Sequence, residues 1–281
     1  MHFAVNYSPQ AATLLQENGI TFDLFKCPDW PEVVETARTY RPVYVHFPLM
    51  TRLKTLQAVK WATVEQFLSE TDTQYINIHV APHTNDFPGM PQDTLDPYWQ
   101  EKVEEAVLIS LQLVIERFGK DKIILENVPW DLDPNYSIPR PVIEPGFIHR
   151  LVNETGCGFL LDTAHARIAA LHLGMDQIDY LNAMPTSHLR EIHITGTRSD
   201  KYGCLIDHFV MTTEDWSLAV YTMDQIRAGV WSQPEIVALE YGGVGPLFDW
   251  RSKPEVLTTD VPRLHNLVQT AGDHRDNASK K

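Results

Sequence analysis

Short apolar runs alternate with longer helical patterns along almost the whole chain, and this alternation is the feature that most restricts the fold. Eight runs have the length and content of strands, at residues 2–7, 20–25, 42–47, 75–80, 122–127, 158–163, 190–195 and 235–240. Segments between them, such as 51–70 and 96–118, carry apolar residues at the i, i+3, i+4 spacing of helices. Strands that alternate with helices pair in parallel through right-handed crossovers. Eight such units within about 250 residues predict a closed (β/α)8 TIM barrel. A doubly wound open sheet is the alternative.

No segment of the chain has the composition of an interdomain linker. We therefore expect residues 1–270 to form a single domain. The polar residues 271–281 are expected to form a disordered tail. Two long loops rich in proline and aspartate, 83–97 and 131–145, each follow a strand, at the end of a barrel that carries active-site loops.

The composition excludes several classes of partner. The formal net charge is −14, whereas a nucleic-acid partner needs a basic protein surface. No run approaches the roughly 20 apolar residues that span a bilayer, and the first residues lack the pattern of a signal peptide. The three cysteines are widely separated, which is typical of a reducing compartment. We therefore expect a cytoplasmic enzyme with no nucleic-acid or membrane partner.

Residues of the metal-ligand type stand at the carboxyl ends of successive predicted strands. They are His79, Glu126, Asp162, His193 and Glu240, and His46 adds a further case. In a barrel these strand ends converge on one pocket. Buried carboxylates there need cations, hydrogen bonds or protons, and a mixed set of Glu, Asp and His ligands suits Mn, Zn, Fe or Co ions. The pattern predicts one to three divalent metal ions per chain.

Each of these residues also has a purely structural interpretation. A single histidine in a strand, such as His46, is more often a core residue than a ligand. Glu126 could pair with an arginine, and Asp162 and Asp207 could cap helices. These interpretations do not explain why the residues share one end of successive strands, so we favour the metal site.

Four motifs resemble the xylose isomerase-like TIM-barrel superfamily: "ILEN" with Glu126, "LLDTAHA" with Asp162 and His165, "EIHITGTR" with His193, and "VALEYGG" with Glu240. That superfamily includes sugar isomerases and ketose 3-epimerases, endonuclease IV-type enzymes and multinuclear non-haem iron-dependent oxidases. The resemblance implies that Glu126, Asp162, His193 and Glu240 hold one metal ion. It also implies that His165 and Arg198 bind substrate oxygens. In the endonuclease and oxidase branches additional ligands hold further ions, and the candidates here are His46, His79, His165, Asp207 and His208.

The chain departs from these branches at three points. Asp207 and His208 are adjacent, where the endonuclease branch has Asp-x-His, so one of the two could be out of reach. His165 stands where the oxidase branch usually has Asn. The catalytic lysine of some isomerases has no obvious counterpart in this chain.

The leading hypothesis is a metal-dependent sugar or sugar phosphate isomerase or epimerase, in which Glu126 and Glu240 exchange the proton of an enediolate reaction. His165, Arg198, Asn127 and Trp130 are the candidate substrate-binding residues, and a small polyhydroxylated molecule is the expected substrate. The alternatives are an iron-dependent oxidase acting on a peptide or small molecule, an endonuclease IV-like hydrolase, which the negative charge disfavours, and a binding protein without catalysis. The sequence is compatible with a homo-oligomer.

Overall fold

A computed structural model of the chain describes residues 1–131, 137–200, 204–246 and 248–278, with side chains up to residue 272. Within these ranges the strands are β1 (His2–Asn6), β2 (Leu24–Pro28), β3 (Val43–His46), β4 (Ile76–His79), β5 (Ile123–Glu126), β6 (Gly158–Asp162), β7 (Leu189–Ile194), β8 (Gly196–Ser199), β9 (Leu205–Phe209) and β10 (Ile236–Leu239). The α-helices are α1 (Pro9–Gln16), α2 (Pro31–Arg38), α3 (Leu53–Gln57), α4 (Trp61–Glu70), α5 (Pro97–Phe118), α6 (Pro145–Thr155), α7 (Thr163–Leu173), α8 (Gln177–Asn182), α9 (Thr213–Arg227) and α10 (Pro254–Ala278).

Contacts between Cα atoms divide the chain into two compact units. The first unit consists of Met1–His46, Ser69–Thr73 and Leu189–Lys281, and the second unit consists of Phe47–Leu68 and Gln74–His188. In the first unit the parallel strands have the order β3-β2-β1-β10-β7, and β8 and β9 form a separate antiparallel hairpin. In the second unit the parallel strands have the order β6-β5-β4. Eight parallel strands with helices between them confirm the predicted (β/α)8 barrel class.

Two of the predicted elements differ from those in the structure. The second strand was predicted at residues 20–25 but lies at Leu24–Pro28. The prediction was wrong because Lys26 and Pro28 interrupt the apolar pattern of the true strand. Ile20 and Phe22 are apolar and buried but lie outside any strand. The helix predicted at 51–70 is divided into α3 and α4. The hairpin of β8 and β9 was not predicted. The domain limit at residue 270 and the disorder of the tail stay predictions, although the backbone of α10 continues to Ala278.

The inner face of the first unit changes from apolar to polar along its strands. A buried apolar cluster contains Ala4, Leu24, Tyr44, Ile236 and Ala238. Side chains two residues apart on a strand lie on the same face of a sheet. Lys26 therefore shares the face of Leu24, His46 shares the face of Tyr44, and Glu240 follows two residues after Ala238. The charged side chains thus form the next layer towards the carboxyl ends of the strands.

Asp260 is a buried acid on α10, and its pKa makes the stability of the fold depend on pH. Burial raises the pKa of Asp260 to about 6, and the nearby Arg263 guanidinium opposes this shift only in part. The fold therefore favours the protonated carboxyl group. The stability that this group contributes is fully present below about pH 4 and is lost as the pH rises through about 6.

We expect Asp260→Asn to raise the free energy of unfolding by about 1 kcal/mol at pH 8, after allowance for solvent screening. Asparagine resembles the protonated acid at every pH, so the gain should disappear at pH 4. Urea unfolding at both pH values measures the difference. An equal gain at pH 4 and pH 8 would contradict the assignment.

Candidate metal centre

The second unit brings together Glu126, Asp162, His165 and His79. Glu126 ends β5, Asp162 ends β6, and both carboxylates are buried. Glu126, Asp162 and His165 each offer a ligand atom, and these atoms lie within 4.8 Å of one another. The Nε2 atom of His79 lies 3.2 Å from Glu126 Oε2. Four of the predicted metal-site residues therefore form one cluster, which we call the second-unit cluster.

Asn127 and the first turn of α7 hold this cluster in place. The Asn127 side chain accepts a hydrogen bond from Asp162 N at 2.9 Å and donates one to Asp162 O at 3.0 Å. Asp162 also caps α7, because its Oδ1 atom accepts a hydrogen bond from His165 N at 2.8 Å. The aspartate is thus a helix cap and a candidate ligand at once. The substrate-binding role of Asn127 stays a prediction, and its contacts give it a positioning role.

The two histidines of the second-unit cluster are oriented by backbone carbonyl groups. His79 Nδ1 lies 3.0 Å from Leu49 O, and His165 Nδ1 lies 2.8 Å from Asn127 O. A carbonyl oxygen can only accept, so each Nδ1 carries the proton and the lone pair of a neutral ring lies on Nε2. Such a second hydrogen bond is typical of metal-binding histidines.

This orientation has a consequence for charge. The Nε2 atom of His79 faces Glu126 at 3.2 Å, and the Nε2 atom of His165 faces Asp162 Oδ2 at 3.9 Å. A lone pair that faces a carboxylate oxygen is repelled unless a cation lies between them, either a proton on the ring or a metal ion. The nitrogen and oxygen donors of this cluster fit a divalent ion of the Fe, Mn, Co or Zn type.

The first unit contains a different arrangement around His193. Its Nε2 atom lies 2.7 Å from Glu191 Oε1, and its Nδ1 atom lies 3.1 Å from Glu240 Oε1. His46, Glu191 and His193 also offer ligand atoms within 4.8 Å of one another. Glu191 was missed in the sequence, although its position two residues before His193 places both side chains on the same face of β7.

Lys26 was also not recognised as a site residue from the sequence. Its ammonium group forms an ion pair with Glu240 Oε1, and both side chains are buried. The strand predicted at 20–25 ended before Lys26, so the alternation that turns this side chain inward was not recognised. Glu240, which was predicted to ligate a metal ion, thus has a lysine as its charge partner.

The pKa values of this cluster follow from its charges. Burial opposes the charged form of Glu240, but His193 and Lys26 outweigh it and hold the pKa of the carboxyl group well below its usual value. Burial and Lys26 oppose the charged form of His193, but Glu240 and Glu191 together outweigh them and raise the pKa of the ring. The metal-free protein therefore favours an ionised Glu240 between two cations.

A β-bulge decides where Asp207 and His208 point. In the hairpin, Gly196 pairs with Phe209 and Arg198 pairs with Ile206, so two residues of β9 face a single residue of β8. His208 takes the left-handed φ of 59°. Its Nε2 atom lies 4.0 Å from Asp207 Oδ1 and 3.9 Å from Glu240 Oε2. His208 therefore approaches Glu240, and the metal-ligand roles of Asp207 and His208 stay predictions.

Three contacts support this bulge. Arg251 Nη1 donates a hydrogen bond to Asp207 O at 3.2 Å, and its guanidinium carbon lies 4.3 Å from the centroid of the Phe209 ring. The His208 ring packs edge-on against Phe248, with the ring centroids 5.2 Å apart.

The remaining predicted substrate residues, Arg198 and Trp130, each lie against an aromatic ring. Arg198 is exposed on β8 and its guanidinium carbon lies 5.4 Å from the Phe209 centroid. Trp130 stacks on His172 of α7, with the ring centroids 3.9 Å apart. Their roles in substrate binding stay predictions.

The fold is similar to that of solved TIM-barrel proteins. A xylose isomerase domain protein from Alicyclobacillus acidocaldarius matches 96% of this chain and 99% of its own chain, with a TM-score of 0.58 and 16% identity. A D-psicose 3-epimerase from Clostridium cellulolyticum H10, crystallised with D-tagatose, matches 98% of both chains with a TM-score of 0.55 and 16% identity. At this identity the likeness shows the fold alone.

The chain belongs to the family described as RiPP precursor modification enzyme MbnB/TglH/ChrH, whose model matches residues 54–233. A UPF0276 protein from Acaryochloris marina is 26% identical over 204 residues, which cover 69% of this chain and 62% of that protein. A UPF0276 protein from Rhizobium meliloti is 32% identical over 130 residues, which cover 46% of this chain and 37% of that protein. The chain thus spans less than two thirds of these relatives. None of its described helices is long and apolar enough to cross a membrane.

We expect Glu240→Ala to lower the free energy of unfolding by about 3–5 kcal/mol in the presence of a chelator, because Lys26 would be left as an unpaired buried cation. The sequence alone left open whether this acid is balanced by a metal ion or by a basic side chain, and the ion pair favours the second outcome. Urea unfolding measures the loss. The matched control, Glu17→Ala on the exposed end of α1, should change stability by no more than about 0.5 kcal/mol. A Glu240→Ala variant as stable as the control would refute the pair.

The left-handed φ of His208 predicts a difference in stability between two substitutions at this position. Glycine adopts the left-handed conformation more readily than any residue with a Cβ atom. His208→Gly should therefore be more stable than His208→Ala by about 1 kcal/mol. Both variants lose the imidazole, so their difference in urea unfolding isolates the backbone. Equal stabilities would show that the bulge is not retained.

Proposed function

We propose that the chain is a metal-dependent enzyme that modifies a ribosomally made peptide, and that the second-unit cluster holds the metal. The family match supports the peptide substrate, because the matching family is described as RiPP precursor modification enzymes. The matched residues 54–233 include His79, Glu126, Asp162 and His165. The observation that carries the metal dependence is the orientation of His79 and His165, whose Nε2 atoms face carboxylates.

The donor set is compatible with iron and with several other divalent ions. Imidazole and carboxylate ligands without a thiolate are typical of non-haem Fe(II) sites, and also of Mn and Zn sites. A bound ion would act as a Lewis acid towards a substrate oxygen, nitrogen or sulfur atom. The multinuclear oxidase branch, which the "ILEN" and "EIHITG" motifs resemble, supports iron over zinc.

Residues of the second unit have distinct roles around this cluster. Glu126 and Asp162 supply the negative charge. Asn127 fixes the spacing between the ends of β5 and β6 through its two hydrogen bonds to Asp162. His165, at the start of α7, remains the candidate to contact the substrate.

The sugar isomerase or epimerase reaction remains a second hypothesis. It needs Glu126 and Glu240 to exchange a proton with the substrate. Glu240 is ion-paired with Lys26 in this chain, which favours a fixed charge over a proton carrier. The family match also favours a peptide over a sugar.

The test begins with metal content. We expect the protein purified from iron-supplemented cells to contain at least one metal ion per chain by inductively coupled plasma mass spectrometry. Glu126→Gln, which removes one negative ligand, should lower this ratio by at least half. Glu17→Gln is the matched control and should keep it. Wild-type protein that contains and binds no divalent metal would overturn the metal dependence.

The substrate class is tested separately. The chain is co-expressed with each short peptide encoded next to its gene, and mass spectrometry compares the peptide with and without the enzyme. We expect a discrete mass change on one peptide that is absent with Glu126→Gln. An unchanged mass for every peptide, together with deuterium incorporation into a ketose in D₂O, would replace the peptide substrate by a sugar.

A further inference from the structure

We propose that Lys26 is a built-in cation that competes with metal ions for Glu240, and so limits how many ions the first unit binds and how tightly. The proposal rests on the metal dependence proposed above and concerns a residue outside the matched segment 54–233. Its basis is the buried ion pair between Lys26 Nζ and Glu240 Oε1.

The position of Lys26 is set by the register of β2. Leu24 belongs to the inner apolar cluster, and Lys26 lies two residues further along the same face. The backbone of Lys26 is the register partner of Tyr44 on β3 and of Asn6 on β1. Lysine at this depth is rare unless it is paired, and only 6% of its surface is exposed.

The charge of Lys26 makes it an alternative to a metal ion. A protonated lysine has three donors and no acceptor, so it cannot itself be a metal ligand. It neutralises Glu240 in the way that a bound cation would. Around His193 the two carboxylates Glu191 and Glu240 face one ammonium group and one imidazole ring, so Lys26 supplies a fixed part of the positive charge that a metal would otherwise bring.

An ion that uses Glu240 must therefore displace Lys26 or share the carboxylate with it. Displacement leaves a buried ammonium group without its partner, which is strongly unfavourable. Sharing places two positive charges next to one carboxylate. Either way the affinity of Glu240 for a metal ion is lower than it would be with a neutral residue at position 26. The second-unit cluster differs, because the side chains beside its carboxylates, His79 and His165, are imidazoles, which can be metal ligands themselves.

The experiment measures Zn²⁺ binding to metal-free protein by isothermal titration calorimetry, with the bound ratio checked by mass spectrometry of the metal. Lys26→Met keeps the length of the side chain and removes its charge. We expect this variant to bind one more Zn²⁺ ion than the wild type, or to bind its weakest ion at least tenfold more tightly. Lys26→Arg retains the charge and should behave like the wild type. Lys60→Met, on the surface before α4, is the control for loss of a lysine.

A thermal melt adds a readout that does not depend on activity. The metal-free Lys26→Met protein should melt at a lower temperature than the wild type, and Zn²⁺ should raise its melting temperature by more than it raises that of the wild type. If Lys26→Met is not recovered folded, Lys26→Gln takes its place with the same expectations. Its amide can donate a hydrogen bond to Glu240.

The outcomes separate the two proposals. A wild-type protein that binds no Zn²⁺, Fe²⁺ or Mn²⁺ would overturn the proposed metal dependence. A wild-type protein that binds metal, with the same ratio and affinity in the neutral variant at position 26, would overturn the role of Lys26 alone. A gain that also occurs in Lys26→Arg would show that packing, and not charge, sets the affinity.

Discussion

A buried carboxylate needs positive charge beside it, and the functional region of this protein is organised around that requirement. Moving an ion from water into a protein interior costs several kcal/mol unless a partner compensates it. In the second unit the imidazole rings of His79 and His165 lie beside Glu126 and Asp162 and are suited to bind a cation there. The first unit meets the requirement with Lys26 and His193 beside Glu240. The two solutions differ chemically, because a histidine can exchange its proton for a metal ion and a protonated lysine cannot ligate one.

Backbone groups fix the direction of these side chains. The carbonyl groups of Leu49 and Asn127 each take one nitrogen of a histidine ring, which turns the other nitrogen towards a carboxylate. The bulge in β9 brings His208 towards Glu240. Strained or irregular backbone of this kind is commonly retained where a side chain must be aimed.

The family to which the chain belongs affects what the strand-end motifs indicate about the reaction. Strand-end Glu, Asp, His and Glu are common to sugar isomerases and to other branches of the superfamily, so they indicate a metal site more strongly than a reaction. The fold is shared across those branches and carries no substrate information. The ion pair of Lys26 with Glu240 distinguishes this chain physically, because it gives one of the three strand-end acids a fixed partner.

The sequence by itself determined the fold class and most of the candidate ligands. The alternation of strands and helices restricts the topology to parallel pairing, and Glu126, Asp162, His193 and Glu240 each follow an apolar run that marks a strand end. Tertiary structure decided the charge partners. Glu191 has a local signal, because it lies two residues before His193 on the same face of β7. The inward direction of Lys26 depends on the register of β2, and the predicted strand ended before this residue. The φ of His208 depends on the pairing of β8 with β9, which no single-strand pattern contains. Sequence patterns report local periodicity, whereas the balance of buried charge arises between strands that are more than 200 residues apart, as Lys26 and Glu240 are.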